Sequence, residues 1–373
     1  MMMTIFGSLL VLLRLSHAED AEVGPAARHA EAAEEGLAAR NLTYRSVPQL
    51  GTPYTSLRLV HWNVANFNPS GESPEQSLAL STEVVAAQLM DISAHCGGVL
   101  PDVITLNEDI EFNATSGANA FDLGPSYYHA GACQAEPLWE SEAAYANGGR
   151  FLRNSMWVLS ETWTVTKSTT ATVSKAETSA TRCAVVAHLI PVDVGGSSAA
   201  GVSIATVHLT GGRFTDDRWA DFTGEKGYEV KKTISVGVTL LGTRPDIIVG
   251  DLNSYSNASS IPLHQASYAP WNEAKTKGEE EGYLAWATEG VRFLEAEGYT
   301  RIGIDEDTTK FGGTVDHIFV KDGSPVRIVG KKGAVPGFEC SDHSIIYAEF
   351  SPSPSPSPTP SPSPPRLEFL HRL

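Results

Sequence analysis

Residues 247–253 read Ile-Ile-Val-Gly-Asp-Leu-Asn, a short apolar run that ends in a glycine, a carboxylate and an amide. The apolar part predicts a buried β-strand, because strands covered on both faces form nearly continuous hydrophobic runs. Carboxylates and amides are costly to bury without partners, and ligand crevices in α/β sheets commonly form beside strand ends. Asp251 and Asn253 are therefore candidate functional residues.

Five other strand-like segments carry acids, amides or histidines at or near an end. These positions are Asn63, Glu108, His208, Asp316 with His317, and Asp342 with His343. A single polar residue after a strand is commonly a turn or a helix cap, but six such segments favour one shared site. Glu108, Asp251 and Asp342 supply the oxygen ligands that Mg²⁺ prefers. Histidines without neighbouring cysteines suggest proton transfer or phosphate contact rather than a structural zinc site.

Apolar runs and helical patterns alternate along the body of the chain. Strands are predicted over 57–62, 103–106, 155–159, 183–189, 202–209, 247–249, 315–320 and 344–350. Ser73 and Pro74 predict the start of a helix that continues through Ile92, and further helices are predicted over much of 218–241 and 272–297. This order indicates an α/β body with mixed sheets, and 42% hydrophobic residues are enough for a core.

One ordered series of motifs spans nearly the whole body. It consists of Asn63, Asn107-Glu108, His208, Gly250-Asp251-Leu252-Asn253, Asp316 and Ser341-Asp342-His343. The series resembles that of the endonuclease/exonuclease/phosphatase superfamily, which includes the DNase I-like nucleases. The resemblance implies a four-layer α/β sandwich with two central mixed β-sheets. Two positions depart from the family pattern, because Asn107 replaces a common Gln and His317 replaces a frequent Tyr.

The resemblance also implies how the site would handle metal and water. Glu108 would bind the metal with Asn63 close to it, and Asp342 would join the metal or water network. The expected ion is Mg²⁺, for which Mn²⁺ is expected to substitute. Asp251 would orient or activate the attacking water.

Four more residues take roles toward the phosphate and the proton on the same basis. Asn253 would hold the phosphate, and His208 would donate to the phosphoryl oxygens. His343 would act as general acid/base or as a donor to the phosphate, held in the right tautomer by Asp316. Fixed donors of this kind stabilise charge that develops on a phosphoryl group.

Asn154 and Arg213 are candidates for substrate binding. Asn154 matches another family position near the phosphate weakly, and a turn residue is the alternative. Arg213 follows two glycines and could make bidentate phosphate contacts, whereas the adjacent Asp216 and Asp217 equally suit a helix cap. A nuclease would need a basic groove, and its candidates are Arg150, Arg153, Arg182, Arg213 and Arg218.

A phosphodiesterase or nuclease is the leading hypothesis for the activity, and a sphingomyelinase-like enzyme or an inositol-phosphate phosphatase is the alternative. The net charge of −17 gives no overall attraction to a polyanion. Aromatic residues at 268–286 lie among the acids of 279–281, which argues against an anionic membrane. A catalytically silent binding or wall protein on the same fold is disfavoured, because Glu108, Asp251 and His343 are all present.

The chain is expected to be secreted. Residues 1–18 are predicted as a signal peptide, because 5–13 is apolar and Ser16-His17-Ala18 suits a cleavage site. This run is about half the roughly 20 residues of a membrane helix, so no transmembrane segment is expected. Residues 19–55 are predicted as an Ala/Glu-rich arm. Glycosylation is predicted on at least one of the sequons at Asn41, Asn113 and Asn257.

The catalytic domain is assigned to 56–350, and the chain is expected to be a monomer. Residues 351–373 form a Ser-Pro-rich tail that predicts an extended polyproline II segment. This tail would be either a wall or matrix contact, as in hydroxyproline-rich shafts, or an inert linker.

Four cysteines, at 96, 133, 183 and 340, permit two disulfides in three connectivities. For Cys183, which lies in an apolar strand-like run, a buried free thiol is the alternative.

Overall fold

The structure is a computed structural model that describes residues 56–64, 92, 98–110, 126–135, 152–174, 182–192, 201–211, 218–261, 269–309, 312–336, 341 and 343–352. The predicted signal peptide, the Ala/Glu-rich arm and all but the first two residues of the Ser-Pro tail lie outside these residues. So do Cys96, Cys340, Asn41 and Asn113. Among the residues that are described, no helix is long and apolar enough to cross a membrane.

Twelve strands of the described chain form two six-stranded mixed sheets. The strands are β1 Leu57–Asn63, β2 Val103–Ile110, β3 Tyr127–Ala135, β4 Leu152–Leu159, β5 Trp163–Thr172, β6 Cys183–Pro191, β7 Val202–Val207, β8 Ile247–Asp251, β9 Tyr299–Arg301, β10 Asp316–Lys321, β11 Val326–Val335 and β12 Ile345–Pro352. Sheet A has the order β11-β12-β1-β2-β4-β3, and sheet B the order β5-β6-β7-β8-β10-β9. In each sheet the central pair, β1–β2 or β7–β8, is parallel.

The described helices lie mostly in the second half of the chain. A 3₁₀ helix at Arg218–Phe222 precedes α1 Glu225–Leu241, and α2 Ala269–Lys277, α3 Glu280–Ala287 and α4 Glu289–Ala296 follow. The predicted helix over 218–241 is interrupted at Gly224, whose φ of 86° lies in the left-handed region. The predicted helix over 272–297 is divided into three short helices. Of the helix predicted after Ser73, only Ile92 is described, and it is helical.

The two sheets pack face to face through one apolar core. Leu59 of β1 and Met156 of β4 in sheet A are buried in the same cluster as Val185 of β6 and Ile318 of β10 in sheet B. A second cluster covers the outer face of sheet A and includes Ile92. A third lies between sheet B and the helices α1 and α4. The predicted four-layer α/β sandwich with two central mixed sheets is confirmed.

A disulfide joins the two sheets. Cys133 of β3 is bonded to Cys183 of β6, across a sequence separation of 50. The alternative of a free thiol at Cys183 is therefore wrong, and the pairing is one of those that the four cysteines permit.

Candidate active site

The end of β8 determines where the site forms. β8 lies between the parallel β7 and the antiparallel β10, whose register places Asp316 opposite Asp251. Gly250 allows close contact with β7, because a Cβ there would lie 1.8 Å from the backbone oxygen of Val207. His208 directly follows β7. Three of the predicted site residues are thus neighbours through sheet B alone.

Sheet A contributes the other side of the site. Asn63 ends β1, Asn107 and Glu108 lie in β2 beside it, and His343 lies just before β12, the antiparallel partner of β1. The Ser341 hydroxyl donates to the Asn63 carbonyl at 2.7 Å and accepts from the His343 backbone amide at 3.0 Å. These bonds fix His343 against the end of β1.

Asp316 and His343 form a close pair between the sheets. The distance from His343 Nδ1 to Asp316 Oδ2 is 2.8 Å, and Asp316 is fully buried. Burial would raise the pKa of Asp316, but the His343 imidazole holds that pKa below its usual value. His343 Nε2 is left facing Asn63 and Asp251, at 3.5 Å from Asn63 Nδ2 and 3.9 Å from Asp251 Oδ2.

A second histidine, His61 of β1, lies on the other side of Asp316. Its Nε2 is 3.6 Å from Asp316 Oδ1, and its Nδ1 is 3.0 Å from the Thr105 hydroxyl oxygen. All three residues are fully buried. Sequence reasoning missed His61 because it lies one residue before Trp62, within the apolar run rather than at its end.

Asp251 is held by hydrogen bonds at both carboxylate oxygens. Oδ1 accepts from the Asn253 backbone amide at 2.7 Å, and Oδ2 accepts from Asn63 Nδ2 at 2.9 Å. Burial and the neighbouring carboxylate of Asp316 raise the pKa of Asp251 above its usual value. The site therefore holds two buried carboxylates whose negative charges repel each other, and a bound cation would offset this repulsion.

His208 lies between several site residues. Its Nε2 is 3.0 Å from Asn253 Nδ2, 3.5 Å from Asp251 Oδ2 and 3.8 Å from Glu108 Oε1. Its Nδ1 is 3.2 Å from the guanidinium nitrogen Nη1 of Arg182. Burial, followed by the Arg182 charge, holds the pKa of His208 well below its usual value. The imidazole is therefore neutral.

Asn107 joins the two sheets at the site. Its Oδ1 accepts from the Asp251 backbone amide at 2.8 Å, and its Nδ2 donates to Asn154 Oδ1 at 2.9 Å. Asn154 Nδ2 donates in turn to the Cys183 carbonyl at 2.7 Å. The Asn107 side chain, although shorter than the Gln that is common in the family, thus contacts both Asp251 and Asn154 directly. Both groups of the Asn154 side chain are engaged within the protein, and its role toward substrate stays a prediction.

The loop after β8 is supported from beneath. Asn253 has a φ of 46°, and its carbonyl accepts from the ammonium of Lys226, which is fully buried in α1. Burial lowers the pKa of Lys226 to about 7. The next carbonyl, of Ser254, accepts from His317 Nε2 at 2.7 Å. Burial lowers the pKa of His317 to about 4. His317 is therefore neutral and supports the loop. Its side chain points to the opposite face of β10 from that of Asp316, which contacts His343.

The donor set fits a hard divalent cation. One oxygen or nitrogen atom each of Asp251, Asp316 and His343 lies within 4.8 Å of the others. Asp316 Oδ1 is buried and has no hydrogen-bond partner in the part of the chain that is described. Glu108, with a φ of 53° and a side chain that is 22% exposed, adds a third carboxylate near His208. Clustered carboxylates with amide oxygens are the ligands of Mg²⁺ or Mn²⁺.

The structure brings together most of the residues predicted from the sequence. Asn63, Glu108, His208, Asp251, Asn253, Asp316 and His343 surround one site, and Asn154 lies behind it. Arg213 and Asp342 lie outside the described residues. Of the candidate basic residues, only Arg182 has a described side chain, and it is buried.

Comparisons with known proteins bear on the family and the fold of the chain. The model of the endonuclease/exonuclease/phosphatase family matches residues 60–343. No curated protein sequence matches the chain. Solved structures similar to the chain include a functionally unknown conserved protein from Enterococcus faecalis, with a TM-score of 0.50 and 11% identity over 80% of this chain and 100% of that one.

Two further solved structures are similar at lower TM-scores. The catalytic domain of human Nocturnin with bound sulfate is 16% identical over 80% of this chain and 95% of that chain, with a TM-score of 0.45. ANGEL2, a 2′,3′-cyclic phosphatase, in complex with adenosine-2′,3′-vanadate is 13% identical over 80% and 96%, with a TM-score of 0.49. At 11% identity the Enterococcus faecalis structure bears on the fold alone.

Proposed function

The chain belongs to the endonuclease/exonuclease/phosphatase family, and on this basis we propose that it is a divalent-metal-dependent phosphodiesterase. The observation that carries the proposal is the single cluster formed by His343, Asp316, Asp251, His208 and Asn253. These residues come from both sheets and are far apart in sequence. A hydrolase of phosphate esters needs a positioned water, a proton-transfer group and donors to the phosphoryl oxygens, and this cluster contains each of them.

In the proposed reaction, water attacks phosphorus and the bond from phosphorus to the leaving oxygen breaks. The Asp251 carboxylate, fixed by Asn63 and by the Asn253 backbone, orients the water and accepts its proton. His343 Nε2 faces the same space and, as the general acid, gives a proton to the leaving oxygen as its bond to phosphorus breaks. Asp316, at 2.8 Å from Nδ1, holds the ring with Nδ1 protonated and supports a positive charge on it.

Two side chains act on the phosphoryl group itself. Asn253 Nδ2 and His208 Nε2 lie 3.0 Å apart, just after the ends of β8 and β7 respectively. Both are placed to contact non-bridging oxygens, so they orient the phosphorus for in-line attack.

Glu108 and Asn63 are the proposed holders of the metal, together with Asp342. Asp251 and Asp316 are close enough to contribute. When bound, a divalent cation offsets negative charge on the phosphoryl oxygens. Mg²⁺ is the proposed ion, with Mn²⁺ as a substitute.

A phosphodiester, including nucleic acid, is the proposed substrate. Sphingomyelin-like and inositol-phosphate esters are the alternatives, because each presents the same phosphoryl chemistry to this site. A catalytically silent binding or wall protein would keep the fold while losing these groups, and the structure instead holds them in contact.

The test is a hydrolysis panel over DNA, RNA, sphingomyelin, phosphoinositides and simple phosphate esters with Mg²⁺ or Mn²⁺, repeated in EDTA. Asp251→Asn is the matched inactive control, because it keeps the shape of the side chain. We expect hydrolysis of at least one diester that EDTA and Asp251→Asn each abolish. Hydrolysis that persists in chelator with metal-free protein would overturn the metal-dependent mechanism.

The proposal extends to location. A signal peptide over 1–18 and the sequons support a secreted glycoprotein, for which the Ser-Pro tail would be a wall or matrix contact. Secreted material is expected to begin at Glu19 and to carry glycan on at least one sequon. Edman sequencing that finds Met1 in secreted protein would contradict this location.

A further inference from the structure

Arg182 is a buried cation for which the proposed mechanism has no use. It lies just before β6 and is only 7% exposed. Its Nη1 points at His208 Nδ1, at 3.2 Å, and its Nε has no hydrogen-bond partner among the described residues. Burying a guanidinium costs several kcal/mol unless other groups compensate the charge. Its position beside a site histidine therefore needs an explanation.

Hydrogen bonds and a disulfide hold the backbone around Arg182. The Arg182 carbonyl accepts from the Val173 amide at 2.7 Å, and the Arg182 amide donates to the Ser174 hydroxyl at 2.9 Å. The next residue, Cys183, is bonded to Cys133 and accepts from Asn154 through its carbonyl. The backbone that carries the guanidinium is thus held by hydrogen bonds and by the neighbouring disulfide.

A guanidinium only donates hydrogen bonds and stays charged at any ordinary pH. The nitrogen that faces it must therefore be the acceptor, which requires an unprotonated Nδ1 on His208. A neutral imidazole with a bare Nδ1 carries its proton on Nε2. That nitrogen faces the site, 3.5 Å from Asp251 Oδ2.

The Asn253 amide, 3.0 Å from His208 Nε2, is the competing donor. One imidazole cannot accept from both Asn253 and Arg182 while it remains neutral. The Asn253 amide has another acceptor, because its Nδ2 also donates to the Leu209 carbonyl at 3.0 Å. The bond from the charged Arg182 is the stronger of the two, so Nδ1 is the accepting nitrogen.

We propose that Arg182 is a positioning residue that fixes His208 in the Nε2–H tautomer, so that His208 can donate to a phosphoryl oxygen. The inference rests on the proposed function for its catalytic consequence, but the tautomer itself is a property of the free protein. Without Arg182, the Nδ1–H form would become available, and Nε2 would then accept from Asn253 rather than donate to the substrate.

The first measurement is made on the wild-type protein. Long-range ¹⁵N–¹H correlation spectra of full-length protein with ¹⁵N-labelled histidine distinguish the two nitrogens, and loss of the signals in His208→Gln assigns them. We expect Nδ1 to resonate as an unprotonated nitrogen and Nε2 as a protonated one. A protonated Nδ1 in the wild type overturns the inference, whatever the activity panel shows.

The second measurement uses Arg182→Met, with Arg182→Lys as the variant that keeps the charge. We expect Arg182→Met to lower kcat by roughly 100-fold with little change in KM, as for the loss of one donor to a transition state, and to shift the His208 signals toward Nδ1–H. Arg182→Lys should restore part of both. Unchanged His208 signals in Arg182→Met would overturn the proposal, even if kcat fell.

A matched control is Arg58→Met, because Arg58 is a half-buried arginine that pairs with Asp102 at 3.5 Å elsewhere in sheet A. This variant is expected to lose stability without any change in the His208 signals. If it changed those signals as Arg182→Met does, the effect would be structural and the proposal would fail. If the wild type hydrolyses no ester, the proposed function fails, while the spectra still decide the tautomer.

Discussion

His343 and Asp316 are joined by a hydrogen bond of 2.8 Å, although Asp316 belongs to sheet B and His343 precedes a strand of sheet A. The proposed acid/base pair therefore exists only where the two sheets meet. A variant of this pair could therefore lower turnover directly or loosen the packing of the sheets. Measurements of turnover and of folding distinguish these two effects.

His343→Ala and Asp316→Asn are each expected to slow turnover by at least about 100-fold, the usual contribution of a positioned acid or base. The double variant should be little slower than His343→Ala alone, because the two residues act as one unit. Turnover on the best substrate of the panel is the measurement, with circular dichroism as the folding control. Additive losses would show that the residues act independently.

His317→Ala is the neighbouring control for this pair. His317 donates to the Ser254 carbonyl through Nε2, on the side of β10 away from the pair. Its removal leaves a buried carbonyl without this donor, so a stability loss of about 1–3 kcal/mol is expected. Turnover should fall far less than in His343→Ala. The reverse order of effects would show that the roles on β10 are wrongly assigned.

Asn107→Ala is expected to destabilise the protein by about 2–4 kcal/mol, because it leaves the Asp251 amide and Asn154 Oδ1 buried without partners. Asn154→Ala should cost a similar amount. In the double variant the losses should be smaller than their sum by about 0.5–3 kcal/mol, as for residues in one network. Denaturant unfolding measures the free energy of unfolding of all three variants. Strict additivity would contradict the hydrogen-bonded connection between Asn107 and Asn154.

Reduction of the Cys133–Cys183 disulfide is expected to lower the free energy of unfolding by about 4 kcal/mol for a loop of this length. Unfolding in urea with and without a thiol reductant measures the loss. The variant with both Cys133→Ala and Cys183→Ala should unfold as the reduced wild type does, and any further effect of reductant on it would come from other cysteines.

The free energy of unfolding is expected to depend on pH through the buried carboxyl group of Glu229. Both of its carboxylate oxygens accept from Thr210, and burial raises its pKa to about 7. Because the folded state holds the proton more tightly, this contribution to stability is complete below about pH 4.5 and is lost as the pH rises through about 7. Relative to Glu229→Gln, the wild type should lose up to about 3 kcal/mol across that interval. A pH-independent difference would contradict the raised pKa.

The central strands could be predicted from the sequence because they are buried on both faces. All eight predicted runs overlap strands, and Ile247–Asp251 is buried at every position. The four strands that were not predicted are short or lie at sheet edges. β5, with the sequence WTVTKSTTAT, is exposed at about half of its positions, and polar residues there hide the apolar pattern.

The site could be predicted as a set of residue types, and its contacts could not. Asp251 and Asn107 are 144 positions apart, and nothing local in the sequence indicates that their strands belong to different sheets that meet there. The buried supports His61 and Lys226 were missed for a related reason, and Arg182 was considered only for a basic groove. Each lies inside an element or just before one, where a polar residue carries no distinctive spacing signal.

The pairing of β1 with β12 has a consequence for synthesis. These are the first and last strands of the described body, and they lie side by side with Leu57 opposite Phe350. In a nascent chain Asp251 and Asp316 are both translated before His343, which lies just ahead of β12. Until His343 has been translated and has met Asp316, the proposed proton-transfer pair is missing, so an unfinished chain is expected to be inactive.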